Sequence, residues 1–426
     1  MSIVRSVVCL VWGLGLSLLA CVTLAPAARA GAQNLLANPG FEAPLPDHAW
    51  MPAAWDTSRG NTEMVFFGRD AYSAHTGQYG ISVANASASL LLWHNWSQSL
   101  DVTPDMWGKD MVFTIWTKSN GVDGRGYACL QAFRDSVGKM AREWKIDRTT
   151  AGRKLGLAAV NDPITDLAWQ RQSFNDSETA WTQRSLRVYL PPSTNIITVR
   201  LGLFGTGQVL FDDASLTLEP AAPAVVPPLH TNLLSDPGFE GPSLGWELST
   251  PSFPDFIAER DTTLSHTGKA CMHFHCEAGL VSGRTGVAQV FCNRALAGKR
   301  LRLSGFAKAD SLGSAIFMHL FFHTRSGFVR ESTPQSVFGN KDWTKLLVEA
   351  DAPEDTYAVW AWIEYTAPVV GHAYFDDLSL EVLGPATGQP TPGTIPVDVR
   401  PAASPRPKAA RSAKAVKPAV KTVRKK

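Results

Sequence analysis

Two aspartates stand side by side twice in this chain, in VLFDDASLTL at 209–218 and AYFDDLSLEV at 373–382. Side chains alternate along a strand, so Asp212 is expected on the face of Leu210, Leu216 and Leu218. Asp376 is expected with Leu378, Leu380 and Val382, while Asp213 and Asp377 fall on the opposite side. A lone carboxylate among apolar residues costs on the order of several kcal/mol unless it is paired, hydrogen-bonded or bound to a cation. The other acid that recurs is Glu42 in NLLANPGFE at 34–42 and Glu240 in NLLSDPGFE at 232–240. Two carboxylates with backbone carbonyls from a Gly-rich turn suit calcium, a hard ion taking roughly 6–8 oxygens. A carboxylate accepting backbone N–H bonds at a strand end accounts for the same residues equally well. Both alternatives stand.

Other chemistry is thinner. Cys271, His273 and His275 alternate onto one strand face, but three ligands without a distant fourth make a poor structural zinc site. If 271–276 and 287–292 pair as a hairpin, Cys271 faces Cys292 and a disulfide joins them; Cys129 is expected as a small buried hydrophobe. Asn85-Ala86-Ser87, Asn95-Trp96-Ser97 and Asn175-Asp176-Ser177 match the glycosylation acceptor pattern. No HExxH, phosphate-binding loop or CxxC is present, and Asp135, Glu143 and Asp147 are acids in or near the middle of the first half that a glycosidase pair could use. The chain is read as non-catalytic.

The elements that position these residues come as a repeat. Besides the opening and closing motifs, His75-Thr76-Gly77 returns as His266-Thr267-Gly268, Gln98 as Gln289 and Trp181-Thr182 as Trp343-Thr344. Marks in one order across ~150 residues mean two copies of one domain, too long a period for a solenoid. Runs such as 112–117, 127–133 and 185–190, with 301–307, 315–322 and 346–349, have strand composition. Turn signals such as Gly121-Val122-Asp123-Gly124 punctuate them, and no stretch shows a sustained helical period with caps. The fold class expected is all-β, two tandem β-jelly-roll sandwiches. The first copy carries 28 more residues in its middle, expected as a long loop within 135–180.

Hydrophobic residues make up 45% of the 426 and charged residues 18%, which excludes a wholly disordered chain. The net charge of +2 conceals an acidic body: 31–384 hold 28 Lys/Arg against 37 Asp/Glu, and 385–426 hold 10 Lys/Arg against one Asp. That Pro/Ala/Lys/Arg tail has no apolar periodicity and is expected to be disordered. It has no aromatic residue for base stacking, so a polyanion of the envelope or matrix is a more natural partner than a specific nucleic acid; a solvated tail without a partner is the alternative. At the other end Arg5, the apolar run 7–24 and Ala28-Arg29-Ala30 have the three parts of a cleaved secretory signal. A lipoprotein site at Cys21 and an uncleaved anchor are the alternatives. No later stretch approaches the ~18 apolar residues that span a bilayer. The expected plan is a signal peptide at 1–30, domains at 31–219 and 231–384, a linker at 220–230 and the tail at 385–426, in a secreted or extracytoplasmic protein.

The opening NLLxxPGFE, the central His-Thr-Gly and the closing FDDxSL together resemble the carbohydrate-binding modules appended to bacterial cellulases and xylanases, of the galactose-binding-like β-jelly-roll superfamily. The resemblance covers about 34–219 and 232–383, and no catalytic domain accompanies it here. It implies a structural calcium in each copy, held by Glu42 with Asp212 and by Glu240 with Asp376. It also implies sugar binding on aromatic rings along an exposed sheet face, where rings stack on sugar C–H faces. Aligning Ala361 and Ile363 with Leu201 and Leu203 as core puts Trp360, Trp362 and Glu364 on that outer face, extended by Phe306 and His319. If the faces are inverted, the same tryptophans are core. The first copy offers Trp116, Tyr127 and Gln131, with Trp93 and Trp96 as a rim. The runner-up function is an envelope or matrix interaction protein that uses the same faces against protein.

Overall fold

The computed structural model describes residues 33–388, apart from 59, 88–92, 145–149, 152–153, 155–164, 176–178, 242–244, 249–255, 277–283, 325–326 and 367–369. The signal segment with Cys21, Asp147, the Asp176-Ser177 part of the third acceptor triplet and the tail beyond 388 lie outside the described residues.

A small hairpin of β1 (Pro44–Leu45) and β2 (His48–Pro52) opens the first half. There follow β3 (Asp56–Thr57), β4 (Val65–Asp70), β5 (Gly80–Asn85), β6 (His94–Asp101) and β7 (Lys109–Arg134). After α1 (Ser136–Trp144) come β8 (Thr165–Phe174), β9 (Thr182–Tyr189) and β10 (Ile196–Pro220). The second half holds β11 (Glu247–Leu248), β12 (Phe256–Asp261), β13 (Cys271–Cys276), β14 (Arg284–Phe291) and β15 (Lys299–Thr324). It ends with β16 (Gly327–Ser332), β17 (Val337–Asp351), β18 (Ala358–Thr366) and β19 (Gly371–Pro385).

The two expected strands 112–117 and 127–133 are one strand, β7, paired with β10 along its whole length. Gly121-Val122-Asp123-Gly124 is a bend and no reversal: Gly124 and Gly205 have φ of 117° and 112°, and a Cβ at Gly205 would lie 2.1 Å from the Asp123 carbonyl. Past the bend the pair changes neighbours. One layer is β3-β6-β10-β7-β8; the other is β4-β5-β10-β7-β9. The second half repeats the plan, with β15 crossing both layers and β18 and β19 taking the two parts of β10. Its layers are β11-β14-β18-β15-β16 and β12-β13-β19-β15-β17. Each half is a β-sandwich with its own apolar core, Trp96, Phe113, Leu201 and Phe211 in the first and Phe274, Leu303, Ile363 and Phe375 in the second.

Three expectations change. The extra middle residues of the first half carry α1, whose start Asp135 caps by accepting from Gly138 N at 2.8 Å. That buried acid has a structural job, and Glu143 is exposed beside Lys139 at 3.8 Å. The Cys271–Cys292 disulfide does not form: β13 and β14 sit in different layers, and Cys129, Cys271 and Cys292 are free thiols. Finally, Gln98 opposite Val199 matches Gln289 opposite Ala361, so Ala361 corresponds to Val199, two residues from the expected Leu201. A shift of two preserves the face.

Candidate functional site

The repeated motifs build one latch in each half. Asp376 Oδ2 accepts from His266 N at 2.7 Å and Thr267 N at 3.1 Å, and its Oδ1 accepts from Asp377 N at 2.7 Å. Asp212 takes the N–H groups of His75, Thr76 and Asp213 at 2.7, 3.0 and 2.7 Å. The second aspartate holds the side chains: Asp213 lies 2.7 Å from His75 Nδ1 and accepts from Thr76 Oγ1, as Asp377 does for His266 and Thr267. Asp213 and Asp377 have φ of 53° and 51°, and the β7–β10 register shifts there. This bulge corrects the expected face of the first aspartates. Phe211, Ala214 and Leu216 belong to the core, and Asp212 is buried at the bulge beneath the His-Thr-Gly turn. Phe375 and Leu378 flank Asp376 in the same way. Burial pushes both carboxyls above the usual range, although the three N–H groups pull down.

The other repeated residues close the same frame. Glu240 Oε1 accepts from Lys269 N and Ala270 N, and Glu42 Oε1 from Gln78 N and Tyr79 N. Gln98 and Gln289 each exchange two hydrogen bonds with the backbone of the opening segment, at Ala37 and Ser235, and the Ser235 hydroxyl also donates to Gln289. As a test of calcium, a Cβ at Gly238 would lie 3.7 Å from Asp376 Oδ1 and 3.8 Å from Glu240 Cγ, so the two side chains pass the same glycine, while the Glu240 carboxylate itself lies over Gly268. The backbone N–H groups use most of their acceptor capacity. What is left to a cation is the second lone pair of Oδ1 and the outer Glu240 oxygen, two of the roughly 6–8 oxygens that calcium takes.

A second feature lies on the outer face of β14-β18-β15-β16. Register places Trp360, Trp362 and Glu364 beside Phe321, His319 and Phe317, and Phe321 beside Arg330. Ala361 and Ile363 are core, so the alternate residues face outward as expected. The Trp360 and Trp362 rings are 6.0 Å apart and 12° from parallel, with His323 stacked on Trp360 at 4.6 Å and Phe321 tilted against Trp362 at 5.3 Å. Beneath this row His319 Nδ1 lies 2.7 Å from Ser332 Oγ, and its Nε2 lies 3.5 Å from Glu364 Oε2. Trp362 Nε1, His319 Nε2 and Arg330 Nε are buried without a hydrogen-bond partner among the described residues. Such groups are costly and mark where a polar ligand or water completes the bonding. Gly286 leaves the space that Trp362 fills: a Cβ there would lie 2.8 Å from the indole nitrogen.

The corresponding face of the first sandwich is closed. Thr198, Arg200 and Gly202 stand where the second has Trp360, Trp362 and Glu364, so the tryptophan pair is missing. Instead Arg171 lies over Trp93, Tyr127 and Trp169 and is ion-paired with Glu247 of the second sandwich. Arg125 donates to Trp246 O at 2.7 Å, the Cys292 thiol donates to Trp169 O at 2.8 Å, and Trp169 meets Trp360 edge-on at 5.8 Å. Burial pushes the Cys129 and Cys292 thiols up to about 11 and about 12, which keeps them protonated and inert. The linker is tied down as well, by Arg294 to Ala222 O and Asn293 to Val225 O.

Of the aromatic and polar residues expected to bind, Trp360, Trp362, Glu364 and His319 come together on one face. Phe306 does not join them. It stacks under His266 at 3.7 Å in the latch, and Trp116 stacks under His75 at 4.2 Å. Both precede the bend of their long strand and so belong to the other layer. Trp96 is core, its Nε1 donating to Ser82 O at 2.9 Å. Trp93 and Tyr127 pack at the junction, and Gln131 lies beside Trp169 on β8. Asn85 and Asn95 of the acceptor triplets are buried. Phe317, Phe321, His323 and Arg330 went unnoticed in the sequence, although the two-residue spacing from His319 marks the first three.

No protein-family model matches the sequence, and no curated protein matches it. Among solved structures, the chain is similar to the CBM22-1–CBM22-2 tandem domain of Paenibacillus barcinonensis Xyn10C, at 14% identity, covering 84% of this chain and 100% of that one with a TM-score of 0.28. It is similar to the C-terminal family 22 carbohydrate-binding module of Clostridium thermocellum Xyn10B, at 18% identity over 37% of this chain and 95% of that one, TM-score 0.30. The Stig cyclase Fisc from Fischerella sp. TAU gives 18% identity over 45% and 99%, TM-score 0.30. The first two are modules of the kind that the sequence motifs resemble. Overlaps this low carry no argument about ligand or activity, and the fold rests on the strand pairing described above.

Proposed function

We propose that the chain is an exported, non-catalytic carbohydrate-binding protein whose binding face is the Trp360–Trp362 row of the second sandwich, which starts at the junction where Trp360 meets Trp169. One observation carries this: two nearly coplanar indoles run along a sheet face, with Trp362 Nε1, His319 Nε2 and Arg330 Nε buried beside them and unpartnered among the described residues. Flat rings suit sugar C–H faces, and convergent polar groups suit hydroxyls. A calcium ion in each sandwich belongs to the proposal, held by Glu42 with Asp212 and by Glu240 with Asp376, and it would stiffen the latch without touching the ligand. Export rests on the pattern of the first 30 residues, and attraction of the basic tail to an envelope or matrix polyanion rests on its charge.

The test is a glycan array with the purified chain, with and without EDTA, beside Trp360→Ala/Trp362→Ala. Retention on one glycan class, lost in the double variant, supports the reading. A folded chain that retains no glycan overturns it. One observation favours a second reading, an envelope or matrix interaction protein: the equivalent face of the first sandwich is already used against protein, its own neighbour. Pull-downs from envelope extract with the same double variant separate the two.

A further inference from the structure

A cluster of imidazoles lies on the opposite layer of the second sandwich, far in register from the tryptophan face. Met272 and Phe274 of β13 belong to the core, so His273 and His275 point outward. Cross-strand pairing sets Glu259 of β12 directly opposite His273, and His372 of β19 directly opposite His275. Tyr374, paired with His273 on its other side, stacks on that ring at 4.6 Å and 8° from parallel. The fold thus supplies from two neighbouring strands the partners that one strand alone does not have.

We infer that Glu259, His273 and His275 form a binding site for a borderline divalent cation of the Zn2+ type, with His372 fixing the tautomer of His273. Ligand atoms of the three residues lie within 4.8 Å of one another. Glu259 Oε1 is 3.2 Å from His275 Nε2 and 3.5 Å from His273 Nδ1. Zinc bonds of about 2.0–2.1 Å in a tetrahedron place neighbouring ligand atoms ~3.3 Å apart, which those two distances bracket. His372 Nδ1 lies 2.9 Å from His273 Nε2, the outer bond that metal-bound imidazoles usually make: with Nε2–H donating to it, Nδ1 is left free for the cation. Two imidazoles and one carboxylate favour Zn2+ over calcium, which prefers an all-oxygen set. The Glu259 carboxylate is about half exposed, so the site is open to water on one side, where a fourth ligand enters. This site is separate from the Glu240–Asp376 acids and from the proposed sugar face.

The experiment is calorimetric titration of Zn2+ into the chain carrying no histidine tag and stripped with chelator, beside His275→Ala, Glu259→Gln, His372→Ala and His230→Ala. One Zn2+ per chain is expected, with affinity lost in His275→Ala and Glu259→Gln. Affinity should fall about 10–100-fold in His372→Ala and stay unchanged in His230→Ala, at an exposed histidine outside both sites. Co2+ in place of Zn2+ gives a visible absorption band of low-coordinate geometry that disappears in His275→Ala. All four substitutions lie outside the core cluster, and circular dichroism checks that each variant is folded. Equal Zn2+ uptake by the parent chain and His275→Ala overturns the proposal, as does no uptake at all.

Discussion

Arg171 of the first sandwich is ion-paired with Glu247 of the second, its guanidinium enclosed by Trp93, Tyr127 and Trp169. A guanidinium on aromatic faces contributes about 0.5–2 kcal/mol per ring, and a charge buried with its partner holds its position. Arg171→Ala leaves Glu247 buried without that partner, at a cost of about 3–5 kcal/mol. The expected result in scanning calorimetry is that one cooperative transition separates into two. A single transition at the parent temperature would contradict the junction.

The indole of Trp362 offers both a flat face and a buried N–H. Trp362→Phe keeps an aromatic surface and removes Nε1, whereas Trp362→Ala removes both. Glycan affinity is expected to fall about tenfold in Trp362→Phe, and further in Trp362→Ala, as about 1.4 kcal/mol accompanies each factor of ten. Affinity measured by titration with the best ligand from the array checks the order. Equal effects of the two substitutions would assign the whole contribution to the N–H group and none to stacking.

Asp376→Ala strands the N–H groups of His266, Thr267 and Asp377 in a buried bulge. Each unsatisfied group costs about 1–3 kcal/mol, so the total is ~3 kcal/mol or more. Asp212→Ala should do the same in the first sandwich, and the two losses should add, because the latches share no residue. Denaturant melts of both single variants and the double variant measure this. A loss below about 1 kcal/mol in either single variant would remove the latch from the account.

Burial raises the carboxyls of Asp212 and Asp376 above their ordinary value of 3.8. The native state therefore binds these protons more tightly than the unfolded state, and their contribution to stability falls as pH rises from that value through the raised native ones. Between about pH 4 and pH 7 the parent chain should lose more melting temperature than Asp212→Asn/Asp376→Asn does. Parallel profiles would show that the N–H groups, and not burial, set the balance. Bound calcium would reverse the sign, since a cation favours the ionised form, so the melts are run in EDTA.

The repeated motifs made the two copies legible because each repeated residue has a bonding duty that few others can fill. Asn34 takes Leu36 N and Leu216 N, and Asn232 takes Leu234 N and Leu380 N. Face parity was legible too, since Ala361 and Ile363 fix where Trp360 and Trp362 point. The layer crossing was not. Gly121 and Gly124 look like a hairpin turn until their pairing with β10 is known, so Trp116 and Phe306 were set in the wrong layer. Helix α1 is nine residues long and is started by Asp135, too short for a periodic signal. Glu259 and His372 became neighbours of His273 only through pairings that span up to 99 residues of chain.

The closed junction also sets valency. On the proposed function, with the face of the first sandwich occupied by Arg171 and its ring cage, the described residues offer a polymeric glycan one aromatic face instead of two. Tandem modules normally gain avidity by making the second binding event intramolecular. Here that gain is spent inside the molecule. On the proposed function, a chain built this way would decorate a polysaccharide without crosslinking it, so its occupancy should follow a single-site isotherm and leave the viscosity of a glycan solution unchanged.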